Sequence, residues 1–343
     1  GNANDYAVSG CTEVRMPNLD TFTTPCAFIN AASMIELTLY NGRMKKYGDE
    51  VLTIETGDVK SFKTWEEFYG AFKKQEEYIL KMFFKQQFVA NKIRPKHFAS
   101  PLGSSLHKLC MESGVDLHQE KIPGGFDTGF FDFIGFGTVA DSLAAIKKNV
   151  FEDKTIGWDE LLDALDKNFE GSEIIRQRLL HSPTYGNDDP YVDSIAKDID
   201  RTAVEFSHKY SKYVGVELDL RYVSQSVNVP FGHVIGATPN GRFAYTALSD
   251  GSSASQGADT TGPTAVLLSN FRTKNVEYKN RAARFLNIKF SPSTVTGKEG
   301  TEKIVSFIKT WRNLKLWHLQ FNIINKETLL AAQKNPENYR SLL

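Results

Sequence analysis

Cys11 and Glu13 lie two residues apart in the run Asp5-Tyr-Ala-Val-Ser-Gly-Cys11-Thr-Glu13-Val14. In an extended segment, residues i and i+2 project to the same side. A thiol and a carboxylate at that spacing can face one substrate together, the sulfur to react and the carboxylate to accept a proton. Gly10 allows the sharp backbone approach that would present the sulfur at a loop tip. The competing account is a buried structural cysteine beside an exposed glutamate. A second residue stands out by context. Arg221 interrupts the apolar run Leu218 to Val223, next to Tyr222. A guanidinium on a buried strand needs an anion or a dense set of acceptors. Its planar fork suits a carboxylate, phosphate or sulfonate. Strand alternation places it opposite Leu220 and Tyr222, so an outward-facing arginine fits the periodicity equally well.

Other polar clusters have simpler explanations. His318, Gln320 and Asn322 share the polar face of a late strand, where hydrogen bonds to neighbouring elements are expected, with a pocket lining as the alternative. Asn187-Asp188-Asp189-Pro190 precedes a helix and is expected to cap it rather than hold a cation. Pro239-Asn240-Gly241-Arg242 is turn chemistry, with Arg242 tying the loop down. Gly232 and Gly236 do not form the glycine array of a dinucleotide site, and no phosphate-binding loop motif occurs. The seven histidines show no ligand spacing, so no protein-bound metal is expected.

The 343 residues suit one large domain or two medium ones with a sizeable core. Forty-one basic and 41 acidic residues give zero formal net charge without long like-charge runs, so neither nucleic acid nor a membrane surface is an expected partner. Three cysteines (Cys11, Cys26, Cys110) without a C-x-x-C fit a reducing cytoplasm. Cys26 and Cys110 are expected to be structural. No apolar run is long enough to span a bilayer, and no signal peptide is visible. The chain opens on Gly1-Asn2-Ala3 and stops inside a helical pattern at Leu343, as expected of a fragment of a longer protein.

The elements that must position these residues follow from periodicity. Ala27 to Tyr40 predicts a helix stopped by Asn41-Gly42. Trp65 to Asn91 predicts a long amphipathic helix with Phe68, Phe72, Ile79 and Phe83 on one stripe. His97 to Gly125 reads as loops around short helices. Val139 to Lys148, Trp158 to Leu180 and Val192 to Tyr210 predict further helices. The period then changes to two: Leu218, Leu220 and Tyr222, then Leu286, Ile288 and Phe290, then Trp317, Leu319, Phe321 and Ile323 predict strands. Gly236 to Gly262 predicts a structured surface loop. Strands separated by helices indicate an α/β architecture.

Seven blocks also carry a family resemblance: Ser9-Gly10-Cys11-Thr12-Glu13, Val139 to Lys148, Tyr185 to Pro190, Gly236 to Arg242, Ser249-Asp250-Gly251, Gly262 to Ala265 and His318 to Asn322. In this order they resemble the C-terminal part of a glycyl radical enzyme of the pyruvate formate-lyase type. The resemblance implies an α/β barrel of two opposed half-sheets surrounded by helices, of which residues 1–343 would be the C-terminal portion, cut before the glycyl radical loop. It implies that Cys11 sits on a finger loop inside the barrel, gives up hydrogen to a glycyl radical and attacks the substrate as a thiyl radical. The R-V-x-G-[YF] radical motif is absent, so the radical glycine is expected beyond Leu343 and the fragment alone is expected to be inactive. No bound metal is implied. A separate radical SAM iron–sulfur enzyme would install the radical, and a homodimer in an anaerobic bacterium is implied, in the cytoplasm or in a bacterial microcompartment.

Formate-lyases carry two adjacent cysteines, from which Gly10-Cys11 departs. Cys11 with Glu13 is similar to the eliminating and decarboxylating branches. Diol and choline lyases show G-C-V-E-P, from which Thr12 and Val14 depart. The segment after Glu13, with Arg221, is most similar to the branch that splits isethionate (2-hydroxyethanesulfonate) into acetaldehyde and sulfite, in which an arginine at the corresponding place grips the sulfonate. The resemblance thus implies Cys11 and Glu13 as catalytic, and Cys11, Thr12, Glu13 and Arg221 as substrate-binding. The alternatives are cleavage of 2,3-dihydroxypropanesulfonate, a diol dehydratase or another eliminating glycyl radical enzyme, and a non-catalytic paralogue that only binds or dimerises.

Overall fold

The structure is a computed structural model that describes residues 7–9, 13–17, 19–21, 26–119, 122–215, 217–274 and 284–342. Two short strands, β1 (Ala7–Ser9) and β2 (Glu13–Arg15), pair antiparallel with Ser9 opposite Glu13. A parallel sheet follows: β3 (Asp20–Thr21), β4 (Cys26–Asn30), β5 (Phe126–Ile134) and β6 (Glu217–Arg221). The long central strand β5 pairs in parallel with β3, β4 and β6. A second parallel pair, β7 (Asn287–Phe290) and β8 (Gln320–Ile323), is joined to β6 through Tyr222, which bridges Arg284 in parallel. The Phe285 N–H donates to the Tyr222 carbonyl at 3.0 Å. Among the described residues the strands do not close into a barrel; they form the parallel, helix-backed side expected of one half-sheet.

The helices in chain order are α1 (Ala32–Leu39), α2 (Trp65–His97), α3 (Pro101–Ser105), α4 (Lys108–Ser113), α5 (Phe136–Ile146), α6 (Trp158–Asp166), α7 (Glu173–Leu180), α8 (Pro190–Val214), α9 (Asn228–Gly232), α10 (Pro263–Arg272), α11 (Pro292–Val295), α12 (Gly297–Asn313) and α13 (Lys326–Lys334). Helix α2 starts at a reciprocal cap: Thr64 accepts from the Glu67 N–H and Glu67 accepts from the Thr64 N–H. Helix α8 starts where expected, with the Asp189 carboxylate accepting from the Tyr191 N–H and Pro190 in the first turn. One face of the sheet (Ile29, Phe131, Phe133, Leu218, Leu220) packs with α1, α2, α5 and α8 into the main core. Every residue of α5 is buried. A smaller cluster of Val266, Leu267, Leu286, Ile288, Phe307 and Leu316 lies around β7 and β8.

Three expectations are corrected, and one strand is new. Ala27 to Asn30 is a strand, because β5 offers it a pairing edge, and the helix begins only at Ala32. Trp158 to Leu180 is two helices, broken where Asn168, Phe169 and Gly171 adopt positive φ. The Gly236 to Gly262 stretch is not a surface loop throughout, since Leu248, Ser249 and residues 251–254 are buried. Its serines take over the hydrogen bonds that secondary structure would supply: the Ser249 N–H donates to Thr138 Oγ1, and the Thr138 N–H to Ser249 Oγ. Strand β5 was not anticipated at all.

Candidate active site

The β1–β2 register leaves a three-residue connection, 10–12, between Ser9 and Glu13. Cys11 and Thr12 lie outside the described residues, as does the Glu13 side chain; the Glu13 backbone is on β2.

Arg221 lies among the described residues. It lies on the sheet face opposite Leu218 and Leu220, so the alternation holds, yet its side chain is only 2 % exposed. Its register partner on β5 is Asp132, which is 0 % exposed. Arg221 Nε donates to Asp132 Oδ1 at 2.9 Å and Nη2 to Oδ2 at 2.7 Å, a two-bond fork. The guanidinium carbon lies 3.3 Å from the centroid of the Phe130 ring. Phe28, Phe130, Asp132, Asp219 and Arg221 thus share one face by register. The helices pack on the other face. Asp132 was missed from the sequence. Its signal was available, a lone carboxylate in the apolar run Phe130-Phe131-Asp132-Phe133-Ile134, matching a lone arginine in another.

The remaining polar candidates are structural. Asn187 Nδ2 donates to the Ala258 carbonyl at 2.7 Å, and its Oδ1 accepts from the Thr261 N–H at 2.9 Å. Arg242 donates to the carbonyls of Thr246 and Phe243 at 2.7 and 3.0 Å, closing the turn as expected. Its pKa is lowered to about 10 by burial, against the pull of Glu36. His318 precedes β8, stacks on Phe285 at 4.2 Å, and is lowered in pKa by burial. Cys110 is buried in α4, which pushes its thiol pKa up. The side chain of Cys26 lies outside the described residues. Among the described residues, no cluster of three or more metal-ligating side chains occurs, and no helix is long and apolar enough to cross a membrane.

Residues 1–232 match the family model for pyruvate formate lyase-like proteins, and residues 248–343 match that for the glycine radical. The chain is 58% identical over 341 residues to isethionate sulfite-lyase of Oleidesulfovibrio alaskensis, covering 99% of this chain and 41% of that protein. It is also 58% identical over 341 residues to isethionate sulfite-lyase of Nitratidesulfovibrio vulgaris, with the same coverage. The chain therefore spans about two-fifths of the length of these curated relatives, 41% in each case. Among solved structures, hydroxyproline dehydratase from Clostridioides difficile with trans-4-hydroxy-L-proline bound superposes with a TM-score of 0.90 at 34% identity, over 99% of this chain and 42% of that one. A family match over two-thirds of the sequence, continued in the same chain by the glycine radical region, makes this protein a member of the pyruvate formate lyase-like family of glycyl radical enzymes.

Proposed function

We propose that this chain is the C-terminal portion of the catalytic barrel of a lyase that splits isethionate into acetaldehyde and sulfite. The observation that carries the substrate is the similarity gap: 58% identity to isethionate sulfite-lyases against 34% to the hydroxyproline dehydratase structure. Arg221, which the resemblance implies as the sulfonate ligand, forms its two-bond fork with Asp132 and would meet a sulfonate through its remaining N–H groups.

A glycyl radical would supply hydrogen-atom abstraction, and Cys11 is the thiol this chain offers to it. Cys11 sulfur then removes a hydrogen atom from the substrate carbon that bears the hydroxyl. Glu13 accepts the hydroxyl proton, which requires a heavy-atom separation of about 2.6–3.2 Å. The C–S bond breaks with its electron pair leaving on sulfite, and the spin moves to the terminal carbon. That carbon takes hydrogen back from Cys11, giving acetaldehyde, and the proton held by Glu13 departs with sulfite. No net oxidant is consumed. Arg221 holds the sulfonate and offsets the charge that grows on the leaving group. Thr12 would contact the substrate beside Cys11 and Glu13. The radical glycine would lie beyond Leu343 and be activated by a separate radical SAM enzyme. A homodimer in an anaerobic cytoplasm, or within a bacterial microcompartment, completes the proposal.

The test feeds activated full-length protein isethionate, 2,3-dihydroxypropanesulfonate, propane-1,2-diol and choline separately, and measures sulfite and aldehyde. Sulfite from isethionate is the expected result. Efficient dehydration of propane-1,2-diol, with no sulfite from either sulfonate, would overturn the proposal.

A further inference from the structure

We propose that Asp132 is a positioning residue for the substrate: it sets the orientation of the Arg221 guanidinium so that one fixed edge meets the sulfonate. The inference rests on Arg221 being the sulfonate ligand. Two parallel bonds, Nε to Oδ1 at 2.9 Å and Nη2 to Oδ2 at 2.7 Å, fix the rotation of the guanidinium within its plane. The Phe130 ring, 3.3 Å from the guanidinium carbon, fixes the plane itself. Asp132 and Arg221 are register partners on adjacent parallel strands, so the backbone beneath the fork is held by the sheet ladder.

The energetics favour an orienting role over a stabilising one. Both side chains are essentially fully buried. A buried ion pair loses in desolvation much of what it gains in attraction, and apolar residues of similar volume often serve stability as well or better. The pair is therefore accounted for by what it does to the guanidinium. Asp132 engages the Nε–Nη2 edge, and the Nη1–Nη2 edge would meet the sulfonate. Two oxygens of a tetrahedral sulfonate span such an edge. Asp132 acts on the substrate only through Arg221, so its effect must vanish when Arg221 is removed.

The test uses unactivated full-length protein and ethanesulfonate, which has the sulfonate but not the hydroxyl. Affinity is read by calorimetry and folding by thermal melting. Asp132→Asn is expected to weaken binding by about 10–100-fold, the order that a misplaced positioning group costs. In an Arg221→Met background the same change is expected to alter affinity by less than about twofold, because the two residues act as one unit. The double variant should regain thermal stability that Asp132→Asn loses, because no lone buried charge remains, without regaining affinity. Wild-type affinity in Asp132→Asn overturns the proposal. So does an equal loss with and without Arg221, which is the signature of a merely structural role. Should Asp132→Asn fail to fold, Asp132→Glu replaces it; it keeps the pair ionised, moves the fork by about one carbon–carbon bond (~1.5 Å), and is judged by the same two outcomes. Wild-type protein that binds ethanesulfonate but releases no sulfite from isethionate would overturn the proposed reaction alone, leaving Asp132 to be decided by the binding series. Wild-type protein that does not bind ethanesulfonate overturns the sulfonate role of Arg221 and with it that of Asp132, and leaves the reaction to the sulfite assay.

Discussion

Cys11 and Glu13 divide the proposed chemistry between hydrogen-atom transfer and proton transfer, and single substitutions separate the two. A serine hydroxyl holds its hydrogen too strongly to exchange it with a carbon radical. Cys11→Ser in the full-length protein should therefore abolish turnover while the glycyl radical still forms, as read by electron paramagnetic resonance after activation. Turnover at the wild-type rate would remove Cys11 from the mechanism. Glu13→Gln keeps the shape of the side chain and removes the proton acceptor. Its loss should fall on kcat, by about 10²–10⁴-fold. A raised KM with unchanged kcat would instead make Glu13 a binding residue. Arg221 was visible in the sequence because a lone charge interrupts an apolar strand. Asp132 carries the same signal, but its pairing with Arg221 is not legible, because the two lie 89 residues apart and no local spacing encodes a pairing between strands so distant.

At the scale of elements, the sequence announced those with a clean period and hid those without one. Helices α2 and α8 carry polar faces and side-chain caps, and both were anticipated near their observed limits. Strand β5 buries both faces between Phe130 and Ile134, so it shows no alternation to detect. The break between α6 and α7 depends on positive φ at Asn168 and Phe169, which residue type alone does not demand of a phenylalanine. The buried loop that follows α9 hides in a serine- and glycine-rich composition, because its order comes from tertiary hydrogen bonds. Two predictions test that order. Helix α9 clasps the loop through the Leu248 N–H on the Asn228 carbonyl at 3.1 Å. A Cβ on Gly232 would lie 2.8 Å from the Thr246 carbonyl carbon and closer still to its oxygen. Gly232→Ala should lower stability by about 1–3 kcal/mol, measured by thermal melting. Asp141 on α5 holds the same loop, accepting from Ser255 Oγ and from the Tyr185 N–H. Burial raises its pKa to about 7, against those bonds, which lower it. The folded state then holds a proton that the unfolded state, with a carboxyl pKa of about 3.9, has released. This group's contribution to stability therefore falls as pH rises from about 4 to about 7, by at most ~1.4 kcal/mol per pH unit. The stability of wild type minus Asp141→Asn should decline across that window and be flat above it; a difference that rises with pH would refute the assignment.

For the whole molecule, the question is what joins the region matched by the pyruvate formate lyase-like model to the region matched by the glycine radical model. The main core and the smaller cluster around β7 and β8 meet at Tyr222 and Arg284. Tyr222 belongs to the main core, and its hydroxyl donates to Asp200 on α8 at 2.8 Å. Arg284 Nη2 lies 3.6 Å from the same carboxylate, with both side chains buried. Arg284 Nη1 reaches the other way, to the Asn270 carbonyl at 3.1 Å and Thr273 Oγ1 at 3.2 Å, at the end of α10. One guanidinium thus ties α8 to α10 across the junction of the two sheets. Burial alone would lower its pKa, but the Asp200 charge and the two tyrosines outweigh it and raise the value. Arg284→Met removes the cation and leaves Asp200 buried without it, which should cost about 3–5 kcal/mol. Adding Asp200→Asn removes the buried carboxylate's charge and should restore part of that loss, although α10 stays untied. Urea denaturation of the full-length protein separates these effects. The single variant should unfold at lower urea, with the double variant between it and wild type. A single variant within about 0.5 kcal/mol of wild type, the usual range for a surface change, would mean that apolar packing alone holds the junction.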